Sequence, residues 1–289
     1  MDLGQRIEKA LHEAISRAGG SGSPPQLAAA LRYAVFPGGA RVRPRLCLAV
    51  ARACGDPFPA MSSAAAASIE LLHCASLVHD DLPCFDDADT RRGKPSVHRA
   101  FGDPLAVLVG DALIVLAFQT LALAASDAPD RLAGLLMVVS RAVGGPSGIV
   151  AGQAWECEPG VPISDYHRAK TGSLFAAATI AGAVAAGGEP EPWRRLGECL
   201  GEAFQVADDI CDKTANSEER GKPSGQDKAH GRPNAVEELG LEGAGRRLEA
   251  LLEEAAQSIP VCPGAQTLRL TIGIESRPFL PRGFGLRAA

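Results

Sequence analysis

Residues 70–95 read Glu70-Leu-Leu-His-Cys-Ala-Ser-Leu-Val-His-Asp80-Asp81-Leu-Pro-Cys-Phe-Asp86-Asp87-Ala-Asp89-Thr-Arg91-Arg92-Gly-Lys94-Pro95. The stretch changes character once, at Asp80. Up to there it is an apolar helix by pattern; beyond it come clustered acids, then bases, closed by the turn residues Gly93 and Pro95. The same arrangement recurs at Asp208-Asp209-Ile-Cys-Asp212, preceded by Gln205 and an apolar block and followed by the charged run Lys213–Arg232. Asp208 and Asp212 are four apart, so a helix places both carboxylates on one face.

The rest of the chain is also helical in pattern. Leu3, Ile7, Leu11 and Ile15 recur every fourth residue in a helix ending near Gly19. Leu27, Leu31 and Val35 begin another face, stopped by Pro37-Gly38-Gly39. Further blocks fall at 43–54, 60–82, 104–126, 129–143, 164–187, 190–213 and 241–258, separated by Gly- and Pro-rich loops. Only 4% of the 289 residues are aromatic, and Ala and Leu are abundant, a balance that favours helix over sheet. With no useful strand pattern, internal repeat or long polar linker, the expectation is one all-α domain spanning 1–289, with long central helices packed through small residues.

The net charge of −5 argues against nucleic acid as a partner. An acidic chain that binds an acidic ligand needs metal ions or a local basic cluster. The eight cysteines form no C-x-x-C pair and read as reduced thiols, most of them buried in apolar runs. The N-terminal stretch is amphipathic and carries acids, unlike a secretory or transit peptide. The apolar stretches 104–125 and 173–188 are interrupted or short for a membrane span, so a soluble, cytoplasmic protein is expected.

Like charges four apart on a helix repel, which is tolerable where hard cations sit between them. Mg²⁺ takes oxygen ligands, keeps several waters and links one or two carboxylates to substrate phosphates. Neither cluster has the Gly and distal Glu spacing of a calcium loop. Aspartates also cap helices and fill turns, and a single cluster would fit that equally well; two at the ends of apolar helices favour metal. Arg91-Arg92 is by itself an ordinary solvated turn, but beside metal it becomes a grip for a second polyanion, because guanidinium matches phosphate bidentately. Gly93-Lys94 and Gly221-Lys222 are each followed by Pro and lack the leading glycine of a nucleotide loop.

From Leu27 to Asn234 these residues resemble the trans-isoprenyl diphosphate synthases (polyprenyl synthetases). Asp80-Asp81 through Asp86, with Arg91-Arg92-Gly93-Lys94-Pro95, is similar to that family's first aspartate-rich motif. Gln205, Asp208, Asp209 and Asp212, with Gly221-Lys222-Pro223, is similar to its second. Lys170-Thr171-Gly172, Gly152-Gln153 and Gly110-Asp111-Ala112 also match family turns and helix starts. The resemblance implies an isoprenoid-synthase-type helical bundle around a deep central cavity, usually a homodimer, with both clusters at the mouth. It implies that Asp80, Asp81, Asp86, Asp208, Asp209 and Asp212 hold Mg²⁺, about three ions in all. Arg91, Lys170 and Lys222 would surround an allylic diphosphate; Arg43, His73 and Arg92 would bind isopentenyl diphosphate, and Arg232 is a further substrate-binding candidate. Thr171 and Gln205 would flank the allylic cation as uncharged polar groups. Lys170, Thr171, Gln205 and Lys222 are thus the catalytic candidates.

Product length is read from the helix before the first cluster. Ser76 and Ala75 lie roughly 6–7.5 Å below Asp80 at the helical rise, and Leu72 roughly 12 Å below it. Farnesyl-producing members carry a bulky aromatic where Ala75 and Ser76 stand, and the four residues between Asp81 and Asp86 match the longer spacing of bacterial and plant geranylgeranyl synthases. The expected product is therefore geranylgeranyl (C20) rather than farnesyl (C15) diphosphate, with Leu72 in the pocket floor and carotenoid supply as the expected use. Close packing of Ala75 and Ser76 on a neighbouring helix is the competing explanation. The family's G-G-K-R-x-R-P is here Gly38-Gly39-Ala40-Arg41-Val42-Arg43-Pro44, so one cation of the isopentenyl subsite is missing, with Arg41 a candidate to compensate. Arg232 stands where a lysine is usual. These departures leave a non-catalytic partner subunit as the alternative of another class. A terpene cyclase is disfavoured by the second diphosphate subsite.

Overall fold

Helix α4 (Pro59–Asp80) starts at a proline that pre-sets the first turn and ends at the first acidic cluster. Its interior run Ala64–Ala67 is buried, as are Ile69, Leu71, Leu72, Cys74 and Ala75. Small side chains let neighbours approach closely, and α4 packs against α1 (Leu3–Ala18), α3 (Val42–Ala53) and α6 (Asp103–Ala124). α1 opens with a capping box between Asp2 and Gln5. Arg6 ties it to the start of α4, donating to Asp56 at 2.7 Å and to the Ser62 hydroxyl at 2.8 Å. Between α4 and α6 lie the acidic loop, the hairpin β1 (Thr90–Arg91) and β2 (Lys94–Pro95), and the short α5 (Val97–Phe101). α2 (Pro25–Val35) and α7 (Pro129–Val143) complete the N-terminal half.

The computed structural model describes residues 1–36, 38–158, 168–214 and 234–275, without the side chains of Arg168, Ile274 and Glu275. The chain divides into two units, Met1–Val139 with Ala181–Gly188, and Ser140–Ile180 with Glu189–Ala289. Described elements in the second unit include α8 (Ile149–Ala154), a π-helical turn (Arg168–Gly172), the first half of α9 (Ser173–Ala186), α10 (Arg194–Thr214), α11 (Ala235–Gln257) and α12 (Ala265–Glu275). α10 packs on α11, with Leu200, Ala203, Val206 and Ile210 buried on α10 and Leu248, Leu251 and Leu252 buried on α11. Gly197 lets α10 lie directly on α9: a Cβ there would stand 2.6 Å from the Phe175 carbonyl oxygen.

The all-α expectation holds among the described residues, with most helical blocks displaced by one to a few residues; the predicted start at 164 lies outside the described residues. Three differences have physical causes. The hairpin is too short to show alternation; its two-residue turn, Arg92-Gly93, has positive φ at both positions (54° and 74°), as a type I′ turn requires. The last long helix starts at Ala235, and the predicted start at 241 is a break at Gly240 (φ 70°). Three helical stretches, Pro59–Asp80, Asp103–Asp127 and Ala169–Ala186, are long and apolar enough to cross a membrane, contrary to expectation. Burial of 78% and 72% of the first and third windows accounts for their apolarity, whereas α6 has only 44% buried.

Candidate functional site

The first cluster is built by the end of α4 and the hairpin. The Asp86 backbone N–H donates to the Asp80 carbonyl oxygen at 3.0 Å, folding the loop back on the helix end. Asp80 and Asp86 are half-buried. Asp81 is buried, and both its carboxylate oxygens accept from Arg91 Nε, at 3.0 and 3.2 Å, with Arg91 Nη2 bonded as well. Burial pushes the Asp81 carboxyl up, and Arg91 opposes that shift. Two residues expected to serve metal and substrate separately are therefore partners here, because the turn at Arg92-Gly93 brings Arg91 back over α4. Lys94 is also engaged: its Nζ donates to the carbonyls of Tyr33 (2.7 Å) and Phe36 (2.9 Å), closing the end of α2.

Arg43 stands in the first turn of α3, half-buried. Its guanidinium is pushed down to about 10, by burial first and also by the charge of Arg92, while Glu70 opposes the shift. Arg92 packs against the Gly38-Gly39 turn, where a Cβ on Gly39 would lie 3.1 Å from Arg92 Nε. His73 follows Glu70 by one helical turn on α4. Arg41 does not replace the missing lysine: it is buried and bonded to Glu70, Glu8 and the Val35 carbonyl. Leu72 and Ala75 are buried, and Ser76 is half-buried with its hydroxyl on the His73 carbonyl at 2.9 Å. The close-packing explanation thus fits Ala75, while Ser76 keeps an exposed face.

In the second unit, the π-helical turn carries Lys170-Thr171-Gly172, an irregularity frequent at functional sites. Lys170 Nζ donates to Glu156 Oε1 at 2.7 Å, and Glu156 also accepts from Gln153 at 2.8 Å. The Thr171 hydroxyl lies 3.5 Å from Gln205 Oε1, so the structure brings these two candidates together. Gln205 Nε2 donates to Asp209 Oδ1 at 3.0 Å, and the Ala235 backbone N–H donates to Asp209 Oδ2 at 2.7 Å. Asp209 is buried and anchors the start of α11, whereas Asp208 and Asp212 are half-buried. Lys222 and Arg232 lie outside the described residues.

Among the described residues, no three His, Cys, Asp or Glu side chains converge as a metal cage. The donors present are hard carboxylates in pairs, Asp80 with Asp86 and Asp208 with Asp212. They fit Mg²⁺ whose remaining ligands come from a diphosphate and water. Glu70 and Glu156 are the residues that sequence reasoning missed, and Arg41 is one whose role it misassigned. A carboxylate inside the apolar run before His73 was the available signal for Glu70, since such a group needs a partner.

Residues 24–263 match the family model for polyprenyl synthetase, so the chain belongs to that family of prenyl-transferring enzymes. Among curated proteins it is 59% identical to the geranylgeranyl diphosphate synthase of Cereibacter sphaeroides and 54% identical to that of Rhodobacter capsulatus, covering 93% of both chains in each case. Among solved structures, it matches the geranyltransferase from Helicobacter pylori complexed with magnesium and isoprenyl diphosphate, with a TM-score of 0.76 and 31% identity over 94% of this chain and 96% of that one.

Proposed function

We infer that the chain is a magnesium-dependent prenyltransferase that condenses isopentenyl diphosphate with dimethylallyl, geranyl or farnesyl diphosphate and delivers geranylgeranyl diphosphate. The observation that carries this is its 59% identity, over 93% of both chains, to a protein of that activity. Asp80, Asp86, Asp208 and Asp212 would hold the metal, with Asp81 and Asp209 supporting them. Bound Mg²⁺, about three ions in all, supplies charge that offsets the negative charge developing on the diphosphate leaving group.

The chain's own residues then have distinct tasks. Lys170 and Lys222 bind the allylic diphosphate; Lys170 is already paired with an anion, Glu156, that a diphosphate oxygen can replace. Arg43, His73 and Arg92 hold isopentenyl diphosphate. As the allylic carbon–oxygen bond breaks, the isopentenyl double bond attacks the allylic carbon, and a proton is lost to the departing diphosphate. Thr171 and Gln205, held within 3.5 Å of each other, line the cation without trapping it as strong nucleophiles would. A site closed to water protects that cation.

A homodimer is part of this proposal. Leu108 (52% exposed), Val115 (65%) and Leu123 (54%) on α6 offer a second copy an apolar surface. Eight free cysteines suit a reducing, cytoplasmic compartment. Carotenoid supply is the use proposed for a C20 product. The test is incubation of the purified chain with Mg²⁺, isopentenyl diphosphate and each allylic diphosphate, followed by chromatography. A C20 product is expected; a C15 end product or no elongation would refute the assignment.

A further inference from the structure

Arg41 starts α3 in the left-handed region, at φ 52° and ψ 37°, a conformation that a non-glycine residue rarely adopts without compensation. The compensation is visible in its side chain. Nη1 donates to Glu70 on α4 at 2.6 Å, Nε to Glu8 on α1 at 2.9 Å, and Nη2 to the Val35 carbonyl of α2 at 2.8 Å. One guanidinium thus joins four helices, and it also lies over the Phe36 ring at 5.8 Å. Arg41 is 7% exposed and Glu70 2% exposed. A Cβ on Gly38 would strike the Arg41 guanidinium, so the turn is shaped around it.

A buried ion pair is a poor device for stability alone, since apolar residues of similar volume often do as well, but it can fix a particular geometry. Here the geometry has an evident beneficiary. The turn held by Arg41 delivers Arg43 two residues later, and Glu70 precedes His73 by one turn on the same helix. Arg92 rests on Gly39 of that turn. Burial pushes the Cys74 thiol on the same helix up and Glu70 adds to that shift, while Arg92 and Arg41 oppose it.

We propose that Arg41 is a positioning residue for isopentenyl diphosphate: through its buried bond to Glu70 it fixes residues 38–41 and the start of α3 against α4, setting Arg43, His73 and Arg92 in place where the subsite lacks a lysine at position 40. This rests on the prenyltransferase assignment above. Because the residues it holds in place belong to the isopentenyl subsite, its loss should act on one substrate rather than on both.

The test uses the full chain with Mg²⁺, varying isopentenyl diphosphate at saturating geranyl diphosphate and then the reverse. Wild-type protein is assayed first, and absence of product there overturns the functional assignment and this proposal together. Given wild-type turnover, Arg41→Lys keeps the charge but cannot reach all three partners. It should raise KM for isopentenyl diphosphate about tenfold or more while leaving KM for geranyl diphosphate within about twofold. The double variant R41M/E70M removes the buried charges as a pair. Its melting temperature should approach that of the wild type while the isopentenyl KM stays elevated. If Arg41→Lys leaves that KM within about twofold of wild type, or raises both KM values alike, the positioning role is overturned. A folded double variant that regains the wild-type KM overturns it as well.

Discussion

Gly197→Ala should cost both stability and turnover, and the size of the effect follows from one contact. Gly197 and Gly201 lie on the face of α10 that meets α9 and the π-helical turn, within unit two. A Cβ on Gly197 would lie 2.6 Å from both the Phe175 carbonyl oxygen and the Thr179 hydroxyl, and closer still to the Ala176 Cα. Two of these are backbone atoms, so no side-chain tip can move aside. The closest of these gaps, to the Ala176 Cα, must open to the 3.4 Å of ordinary contact, so α10 retreats by about 1 Å. Overpacking of this kind costs about 3 kcal/mol at the upper end. Alanine returns about 1 kcal/mol of helix propensity, leaving a net loss of about 2 kcal/mol. For a chain of this size, the melting temperature should fall by about 4–8 °C. Because α10 carries Gln205 and Asp208, a shift approaching 1 Å should also lower kcat, by up to about a hundredfold. Gly201→Ala is the control: its contacts are 3.0 Å to the Gly172 Cα and 3.2 Å to the Phe175 Cβ, so strain and propensity should nearly cancel. Calorimetry and steady-state assays well below the transition decide the matter. A Gly197→Ala protein as stable as wild type, or one no worse than Gly201→Ala, would refute the close-approach argument.

Ser76→Phe should shift the product from C20 toward C15 by chromatography with little loss of stability, because Ser76 is half-buried. Ala75→Phe should shorten the product too, but from a buried position it should also cost about 1–3 kcal/mol. Asp81→Asn leaves Arg91 without its buried counter-charge and should destabilise the fold by about 3–5 kcal/mol, whereas Asp80→Asn should abolish turnover with a much smaller fall in melting temperature. Burial pushes the Cys47 and Cys74 thiols up to about 12, so at pH 8 both stay protonated in the native state. A thiol reagent followed by peptide mapping should modify exposed Cys84 and Cys157 first, and Cys47 and Cys74 only on denaturation.

The helices were legible because each is a long periodic element; α4 and α10 were readable down to their acidic ends. The hairpin was not, since two residues per strand carry no period and its cause is a pair of positive φ angles. Lys170-Thr171-Gly172 was legible as a motif, but its π-helical backbone was not. Partner choice was the least legible layer. Nothing in Asp80-Asp81-Leu82 says which carboxylate faces inward, because a helix end turns each side chain by an angle that neighbours decide. Arg41 shows the same limit from the other side: charge and position made it look like a substitute for a lysine, while burial made it a tie between helices.

The two acidic clusters share a division of labour. In each, the second aspartate is buried and accepts hydrogen bonds from its own chain: Asp81 from Arg91, and Asp209 from Gln205 and the Ala235 N–H. The outer members, Asp80 with Asp86 and Asp208 with Asp212, are half-buried. The buried member of each cluster is therefore satisfied within the fold before any cation binds. That leaves each cluster short of a closed metal cage but able to meet a cation that arrives with its own phosphate oxygens. A site of this kind binds metal and diphosphate together more readily than either alone, which suits an acidic chain whose substrates are also anions.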